Sequence, residues 1–148
     1  MKRNEFRAWD KIEKKMYEVE SINFSKKEAV VRTVLEVDMG IPPKVRSFTD
    51  IVFMQWTGIY DDVKWDFINT YEREQWIKAC NKPEDWPGRK VFEGDGVEYW
   101  RGQPARVEFV EGGYILRGVE SGQYELLGQR VAEIRVIGNV WENPEFSK

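Results

Sequence analysis

The sequence predicts a mostly β fold: a small antiparallel barrel, SH3-like or a pseudo-barrel, with an N-terminal β-hairpin region and one short inserted helix. Three observations favour it. Short apolar segments alternate with polar residues, glycine and proline clusters separate them, and a helical pattern occurs once, after Asn69. With 148 residues, of which 41% are hydrophobic, residues 1–148 are predicted to form a single domain with its own core.

The N-terminal part is predicted to begin with a β-hairpin, with strands at 6–9 and 16–19 and a charged loop between them. In "AVVRTVLEV", Val31, Leu35 and Val37 share one face, which predicts a half-buried strand. The paired prolines of "MGIPPKVRS" interrupt this pattern. The segment "DIVFMQWTG" is apolar on both faces and predicts a central strand.

The middle of the chain predicts the helix. In "NTYEREQWIKAC", Asn69 is placed to cap it, with Glu72 at the third helical position. Trp76, Ile77 and Cys80 then form a short apolar stripe on one face. The prolines of "NKPEDWPG" cannot continue the helix, so we expect it to end before them.

From residue 89 onward the β pattern is dense. Strands are predicted at 97–100 and 105–110, with a turn between them. Gly112-Gly113 is expected to supply the positive backbone angles of a tight hairpin leading into "YILRGV". The last strand, "RVAEIRVIG", places Ile134 inward and Arg135 outward. Short strands at this spacing favour a small barrel or a compact sandwich.

The acidic residues are interpreted as turn and loop residues. In "VFEGDGVEYW" two glycines flank Asp95, and aspartate readily bonds its own turn amides, so a turn is predicted. The alternative makes Glu93 and Asp95 an acid/base pair or a cation-ligand set, as in a small-ligand binder or a carboxylate-only hydrolase. "DDVKWD" is interpreted as an acidic loop.

Composition limits the chemistry. The chain has no histidine and one cysteine, which excludes Ser-His and Cys-His nucleophiles, histidine-ligated zinc and an intramolecular disulfide. We therefore expect a protein without catalytic activity, cofactor or metal. The opening residues lack the apolar middle of a signal peptide, and no long apolar run occurs, so a cytoplasmic protein with no membrane partner is expected.

Seven tryptophans give the chain an excess of aromatic residues. Those on or beside predicted strands are expected to pack in the core. Those in the irregular middle are less easily explained, and they indicate either a cap over the core or an interaction surface. The core group is Trp9, Trp56, Trp100 and Trp141, and the candidate interaction group is Trp65, Phe67, Trp76 and Trp86.

Four segments carry a family resemblance. They are FRAWD (6–10, followed by Lys15-Met16), MQWTGIYD (54–61), GRKVFEGD (88–95) and VIGNVWENPE (136–145). In this order they resemble motifs of the YopX family of phage and prophage proteins, and they span nearly the whole chain. The resemblance implies a mostly β, cytosolic protein encoded by a phage, prophage or other mobile element. It brings no established catalytic residues.

Two departures from the family pattern matter. Gly96 stands where the family usually carries isoleucine or a similar strand residue, so that strand is expected to begin one position later. The second and third motifs are normally separated by a few residues, whereas here 62–87 intervenes. The resemblance therefore implies an insertion at 62–87, which we call the inserted segment.

Two functions are compatible with these observations. The first is a non-enzymatic interaction or structural module, binding a protein partner or a second copy through the inserted segment. The second is a nucleic-acid-associated accessory protein, with a basic face on a small barrel. That face would comprise Arg89, Lys90, Arg101, Arg106 and Arg117.

Overall fold

A computed structural model describes residues 6–33, 36–37, 39–99, 102–127 and 134–147. The described residues are mostly β, with antiparallel strands in two sheets and one α-helix of nine residues. The chain divides into two compact units, Met1–Trp56 and Thr57–Lys148. The predicted mostly β class and the short helix after Asn69 are confirmed. A closed barrel is not: neither sheet closes on itself within these residues.

The strands of the first unit are β1 (Phe6–Asp10), β2 (Lys15–Asn23), β3 (Glu28–Arg32), β4 (Lys44–Ser47) and β5 (Ile51–Tyr60), the last of which continues into the second unit. Strands β1 to β4 form an antiparallel meander, and β5 pairs with the other edge of β1, which gives the order β4-β3-β2-β1-β5. Small and β-branched side chains fill the core beneath this sheet because alternate residues point to one face. That core comprises Ala8, Tyr17, Val19, Ala29, Val31 and Ile51.

The predicted hairpin is confirmed, and β5 is a central strand because the strand Lys90–Phe92 follows it in the order of the sheet. The strand predicted over 29–37 is corrected. β3 ends at Arg32, and Glu36 and Val37 are helical. The reason is a reciprocal pair of hydrogen bonds, in which each backbone N–H of Thr33 and Glu36 donates to the other's side chain at 3.0 Å. This is a capping box, which starts a helical turn. Leu35 lies outside the described residues.

The second unit contains the second sheet, in the order β10-β9-β8-β7-β11. Its strands are β7 (Asp95–Tyr99), β8 (Gln103–Val110), β9 (Gly113–Gly118), β10 (Tyr124–Leu126) and β11 (Arg135–Asn139). β6 (Lys90–Phe92) instead follows β5 in the order of the first sheet. The core comprises Val91, Val97, Tyr99, Ala105, Val107, Leu116, Leu127 and Ile134.

The β8–β9 hairpin is placed as predicted, but its turn lies one residue earlier. Glu111 and Gly112 have φ of 51° and 84°, and Gly113 already belongs to β9. Two central residues with positive φ form the primed turn that matches the twist of a two-residue hairpin. The predicted alternation of the last strand is confirmed for Ile134, which is buried, and Arg135, which is exposed.

β7 does not begin one position later than the family pattern. It begins at Asp95 and includes Gly96, which pairs with Arg106 on β8. The reason for glycine is a neighbouring ring: a Cβ on Gly96 would come within 2.5 Å of Phe146, which is buried. Glycine at this point therefore makes room for the C-terminal turn Pro144–Ser147.

The tryptophans expected in the core have three different environments. Trp9 is buried, Trp56 is half-buried, and 38% of Trp141 is exposed, so the expectation is wrong for Trp141. Trp100 lies outside the described residues.

Candidate functional site

The inserted segment contains a nine-residue α-helix, α1 (Thr70–Lys78), between short 3-10 turns at Trp65–Phe67 and Pro83–Asp85. The predicted cap is confirmed: Asn69 Oδ1 accepts from the Glu72 backbone N–H at 2.7 Å, and the Asn69 N–H donates to Glu72 Oε1 at 3.4 Å. The predicted apolar stripe is not buried. Ile77 and Cys80 are exposed, and Cys80 lies beyond the helix with φ of 64°.

Three of the four predicted interaction residues pack together, with Trp86 at the centre. Its ring lies edge to face against Trp65 at 6.1 Å and against Trp76 at 5.2 Å. The indole N–H groups of Trp86 and Trp76 donate to backbone carbonyls, that of Trp86 to Val63 at 2.9 Å and that of Trp76 to Lys82 at 2.6 Å. We call Trp65, Trp76 and Trp86 the tryptophan cluster. Its ring contacts join the two 3-10 turns of the inserted segment to the helix between them.

Arg73 joins helix α1 to the 3-10 turn. Its guanidinium donates to the carbonyls of Trp65 at 3.3 Å and Asp66 at 3.0 Å, and its centre lies 5.8 Å from the Trp65 ring centroid. A cation over an aromatic face adds attraction to these hydrogen bonds. The helix is therefore held by side chains although none of its residues is buried.

Three large apolar side chains of the inserted segment face solvent, whereas Val63 and Ile68 are buried. Phe67, the fourth predicted residue, is 77% exposed, Ile77 is 48% exposed and Tyr71 is 39% exposed. We call these three residues the outer face.

An ion pair links α1 to the β-strands of the second unit. Arg89 donates from Nε to Glu72 Oε2 at 2.9 Å and from Nη2 to Glu72 Oε1 at 3.0 Å, and its Nη1 donates to the Val136 carbonyl at 3.3 Å. Such a two-point pair fixes orientation as well as distance. The capping residue Glu72 thus also positions the helix.

Asp61 fixes the point where the inserted segment begins and ends. It was interpreted as part of an acidic loop, but it is 4% exposed. Its Oδ1 accepts from the N–H of Val63 at 3.1 Å and of Arg89 at 2.8 Å, and its Oδ2 accepts from the N–H of Val136 at 3.0 Å. One buried carboxylate therefore joins three separate pieces of backbone.

A groove of about 500 Å³ lies beside this junction. Its lining residues are Asp62, Val63, Lys64, Phe67, Arg89 and Arg135. Sequence reasoning did not find it, because the groove brings together residues from three distant parts of the chain. The nearest signal was "DDVKWD", whose lysine and carboxylates were interpreted as a solvated loop.

The predicted turn is present at Glu93 and Gly94, and Asp95 is the first residue of β7. Asp95 is 1% exposed, and its Oδ2 accepts from the Phe92 N–H at 2.8 Å. Gly94 has φ of 87° and bonds to β8 through its N–H, which donates to the Val107 carbonyl at 2.9 Å. The turn therefore uses Asp95 for backbone bonding.

The C-terminal motif is a second polar turn. Asn139 Oδ1 accepts from the N–H groups of Trp141 at 2.9 Å and Glu142 at 2.8 Å, while the Asn139 N–H donates to Asn143 Oδ1 at 3.1 Å. A Cβ on Gly138 would collide with Asn143. The two asparagines therefore reverse the chain after β11.

The residues of the predicted basic face are largely paired within the described part of the chain. Arg106 and Arg117 both bond Glu108 Oε2 at 2.7 Å, and Arg89 pairs with Glu72. Burial opposes ionisation of Glu108, but the two guanidinium groups outweigh it and lower its pKa. Arg101 lies outside the described residues, and Lys90 is half-buried.

A charged network in the first unit was not predicted. Asp10 is fully buried, its Oδ1 accepts from the N–H groups of Ile12 and Glu13, and its Oδ2 accepts from Arg46 Nε at 2.8 Å. Burial opposes ionisation of Asp10, but these bonds outweigh it and lower its pKa. The signal was the spacing of Asp10 before a tight loop, which is typical of an aspartate-capped turn.

The same network continues to Tyr17 and Lys44. The Tyr17 hydroxyl donates to Glu13, and this bond lowers the pKa of Glu13. Burial raises the pKa of Tyr17, with the Glu13 bond acting in the same direction. Lys44 Nζ lies 3.3 Å from both Glu13 Oε2 and the Tyr17 oxygen, and bonds to these two residues raise its pKa. A lysine held in its charged form is a poor nucleophile.

The buried polar side chains of the described residues all belong to the four family-like segments. Each accepts hydrogen bonds from backbone N–H groups at a turn, as described above. They are Asp10, Asp61, Asp95 and Asn139. The motifs therefore serve chain reversal, and no group of three or more acidic or cysteine side chains in the described ranges is arranged to hold a metal ion.

No helix in the described ranges has both the length and the apolar character needed to cross a bilayer.

Comparison with known proteins places the chain in a family. The family model described as YopX protein matches residues 5–65 and 84–146, and the unmatched stretch between them contains α1. The crystal structure of protein EF1440 from Enterococcus faecalis is similar in fold, with a TM-score of 0.53, 20% sequence identity and 97% of each chain covered. None of the curated proteins matches the chain. Because the family model covers most of its length, this chain belongs to the YopX protein family.

Proposed function

We propose that this protein is a non-enzymatic interaction module whose contact surface is the inserted segment, and that a second copy of the chain docks there. The observation that carries the proposal is the outer face. Phe67, Tyr71 and Ile77 are exposed on a segment that is braced from behind by the tryptophan cluster and the Glu72–Arg89 pair. A rigid surface with exposed aromatic and aliphatic anchors loses little entropy on binding.

The charges of the inserted segment support a second copy as the partner. Six acidic and four basic side chains are interspersed along 62–87. A two-fold contact brings the same patch of each copy together, so a patch of one sign would repel itself, whereas mixed signs pair across the axis. The acidic residues are Asp62, Asp66, Glu72, Glu74, Glu84 and Asp85, and the basic ones are Lys64, Arg73, Lys78 and Lys82.

Sedimentation of the full chain over a concentration series tests the proposal. We expect the average mass to rise toward a dimer, and Ile77→Glu to weaken this association by at least tenfold, because it places a charge in the contact. The matched control is Ile12→Glu, which makes the same change at a 68% exposed isoleucine in the first unit. A wild-type protein that stays monomeric at every concentration, or equal loss in both variants, would overturn the proposal.

The nucleic-acid hypothesis stays a prediction. The described arginines of the basic face have carboxylate partners, which offset their attraction for phosphates. Titration of labelled single- and double-stranded DNA at low salt tests it, and a salt-dependent binding curve is the expected result if it holds.

A further inference from the structure

The groove beside Asp61 shares one residue, Phe67, with the outer face of the proposed contact. Its volume of about 500 Å³ is that of a small-ligand site. Two of its lining residues, Lys64 and Arg135, are exposed cations, and neither has an ion pair with any described residue. The groove therefore contains positive charge that no described residue neutralises through an ion pair.

The walls of the groove are held in place before any ligand arrives. The three N–H donors to Asp61 belong to Val63, Arg89 and Val136, which are groove residues or their neighbours. In addition, the Asp62 N–H donates to the Ile134 carbonyl at 3.0 Å, next to Arg135. A preformed wall does not have to be ordered when a ligand binds, which favours affinity.

The charges favour an anion of phosphate type. Arg89 is engaged by Glu72, so Lys64 and Arg135 supply the free positive charge, against the single carboxylate of Asp62. The planar fork of an arginine fits phosphate oxygens at two points, and a lysine adds a mobile ammonium group.

The ring of Phe67 favours a ligand that carries a planar group. Its ring lines the groove and is 77% exposed, so one aromatic face is available for stacking. Stacking of a nucleobase on an aromatic side chain tolerates any base. Asp62 provides an acceptor for the hydroxyl or amino groups that a sugar and a base carry.

We infer that this groove binds a nucleotide, with the phosphate on Lys64 and Arg135 and the base on Phe67. The same chemistry is offered by a free mononucleotide and by one unit of a single strand. The groove shares Phe67 with the outer face, whereas Tyr71 and Ile77 do not line the groove. Ile77→Glu therefore tests the dimer without altering a groove residue.

Calorimetric titration of the full chain with AMP is the first experiment. We expect Arg135→Ala and Lys64→Ala each to weaken AMP binding by about tenfold, as loss of a charge-assisted contact does. Phe67→Ala is expected to weaken it by about fivefold or more, through lost stacking. Lys82→Ala is the matched control: it removes a cation of the inserted segment that does not line the groove, and should change the affinity less than twofold.

Further ligands separate the possible outcomes. Inorganic phosphate and adenosine should each bind at least tenfold more weakly than AMP. A single-stranded oligonucleotide that binds more tightly than AMP assigns the site to a strand, and equal or weaker binding assigns it to the free nucleotide. Absence of AMP binding at millimolar concentration, or binding unaffected by Arg135→Ala, overturns the inference. Ile77→Glu should leave AMP binding unchanged. Failure of the dimer proposal can therefore be distinguished from failure of the nucleotide inference.

Discussion

At the scale of single residues, the buried polar side chains in the described part of the chain accept hydrogen bonds from backbone N–H groups. Asp61 is an example: a carboxylate that accepts three backbone N–H groups is engaged on both oxygens. The exposed Lys64, Phe67 and Arg135 of the groove have side chains that a ligand can reach.

Replacing Asp61 by alanine is expected to destabilise the protein by about 3 to 5 kcal/mol, because buried N–H donors lose a charged acceptor. Urea unfolding measured by tryptophan fluorescence checks this. Asp62→Ala alters an exposed neighbour and should cost less than about 0.5 kcal/mol. Similar losses in the two variants would contradict the assigned role of Asp61.

At the scale of elements, α1 is a helix stabilised by its ends and by side-chain contacts, since it has no buried residue. Asn69 and Glu72 form the cap, Arg73 bonds the preceding turn, and Arg89 holds Glu72 from outside. Short isolated helices are marginal in water, so these contacts decide whether α1 forms.

Asn69→Ala is therefore expected to raise the population of open α1 about fivefold, which corresponds to the loss of a cap worth about 1 kcal/mol. Hydrogen exchange of the α1 amides measures this opening. The global melting temperature should change little, because α1 contributes no buried side chain. The control is Thr70→Ala, one residue further on, which removes no cap and should leave the exchange rates of the α1 amides unchanged. A large drop in melting temperature with Asn69→Ala would contradict a local effect.

Much of the fold was readable from local patterns, and the remainder depends on distant partners. The β1–β2 hairpin and the Asn69 cap follow from alternation and spacing alone. β4 was missed because the prolines before it hid a four-residue strand. The groove was missed because Asp61 bonds residues 28 and 75 positions away, and no local pattern shows such a pairing. The inserted segment's role stays a prediction.

At the scale of the whole molecule, resistance to acid depends on carboxylates that the folded state keeps charged. The pKa values of Asp10 and Glu13 lie below their ordinary values of 3.8 and 4.5. A lowered folded pKa means that the stabilisation is complete above the ordinary value and is lost as pH falls through the folded one. We therefore expect stability to decline below about pH 4.

Arg46→Gln tests this dependence, because Arg46 is the cation that bonds buried Asp10. The variant should be less stable than wild type at pH 7 by about 2 kcal/mol, the loss of a hydrogen bond to a charged group. The difference should shrink as pH falls from about 4 through the lowered folded pKa of Asp10, below which Asp10 is protonated in both proteins. Urea unfolding at several pH values measures it, with Lys26→Gln in an exposed turn as the control. A difference that is constant with pH would contradict the coupling.

The junction at Asp61 has a consequence for how this chain can change. The Asp61 N–H donates to the Arg89 carbonyl at 2.8 Å, and Gly88, with φ of 112°, lies so close to Asp61 that a side chain would not fit. The residues on either side of 62–87 are thus joined to each other by a backbone hydrogen bond and a close backbone contact. Lengthening a tied loop costs only about 0.6 kcal/mol per doubling. We therefore expect that segments of very different length can replace 62–87 without disturbing the strands on either side.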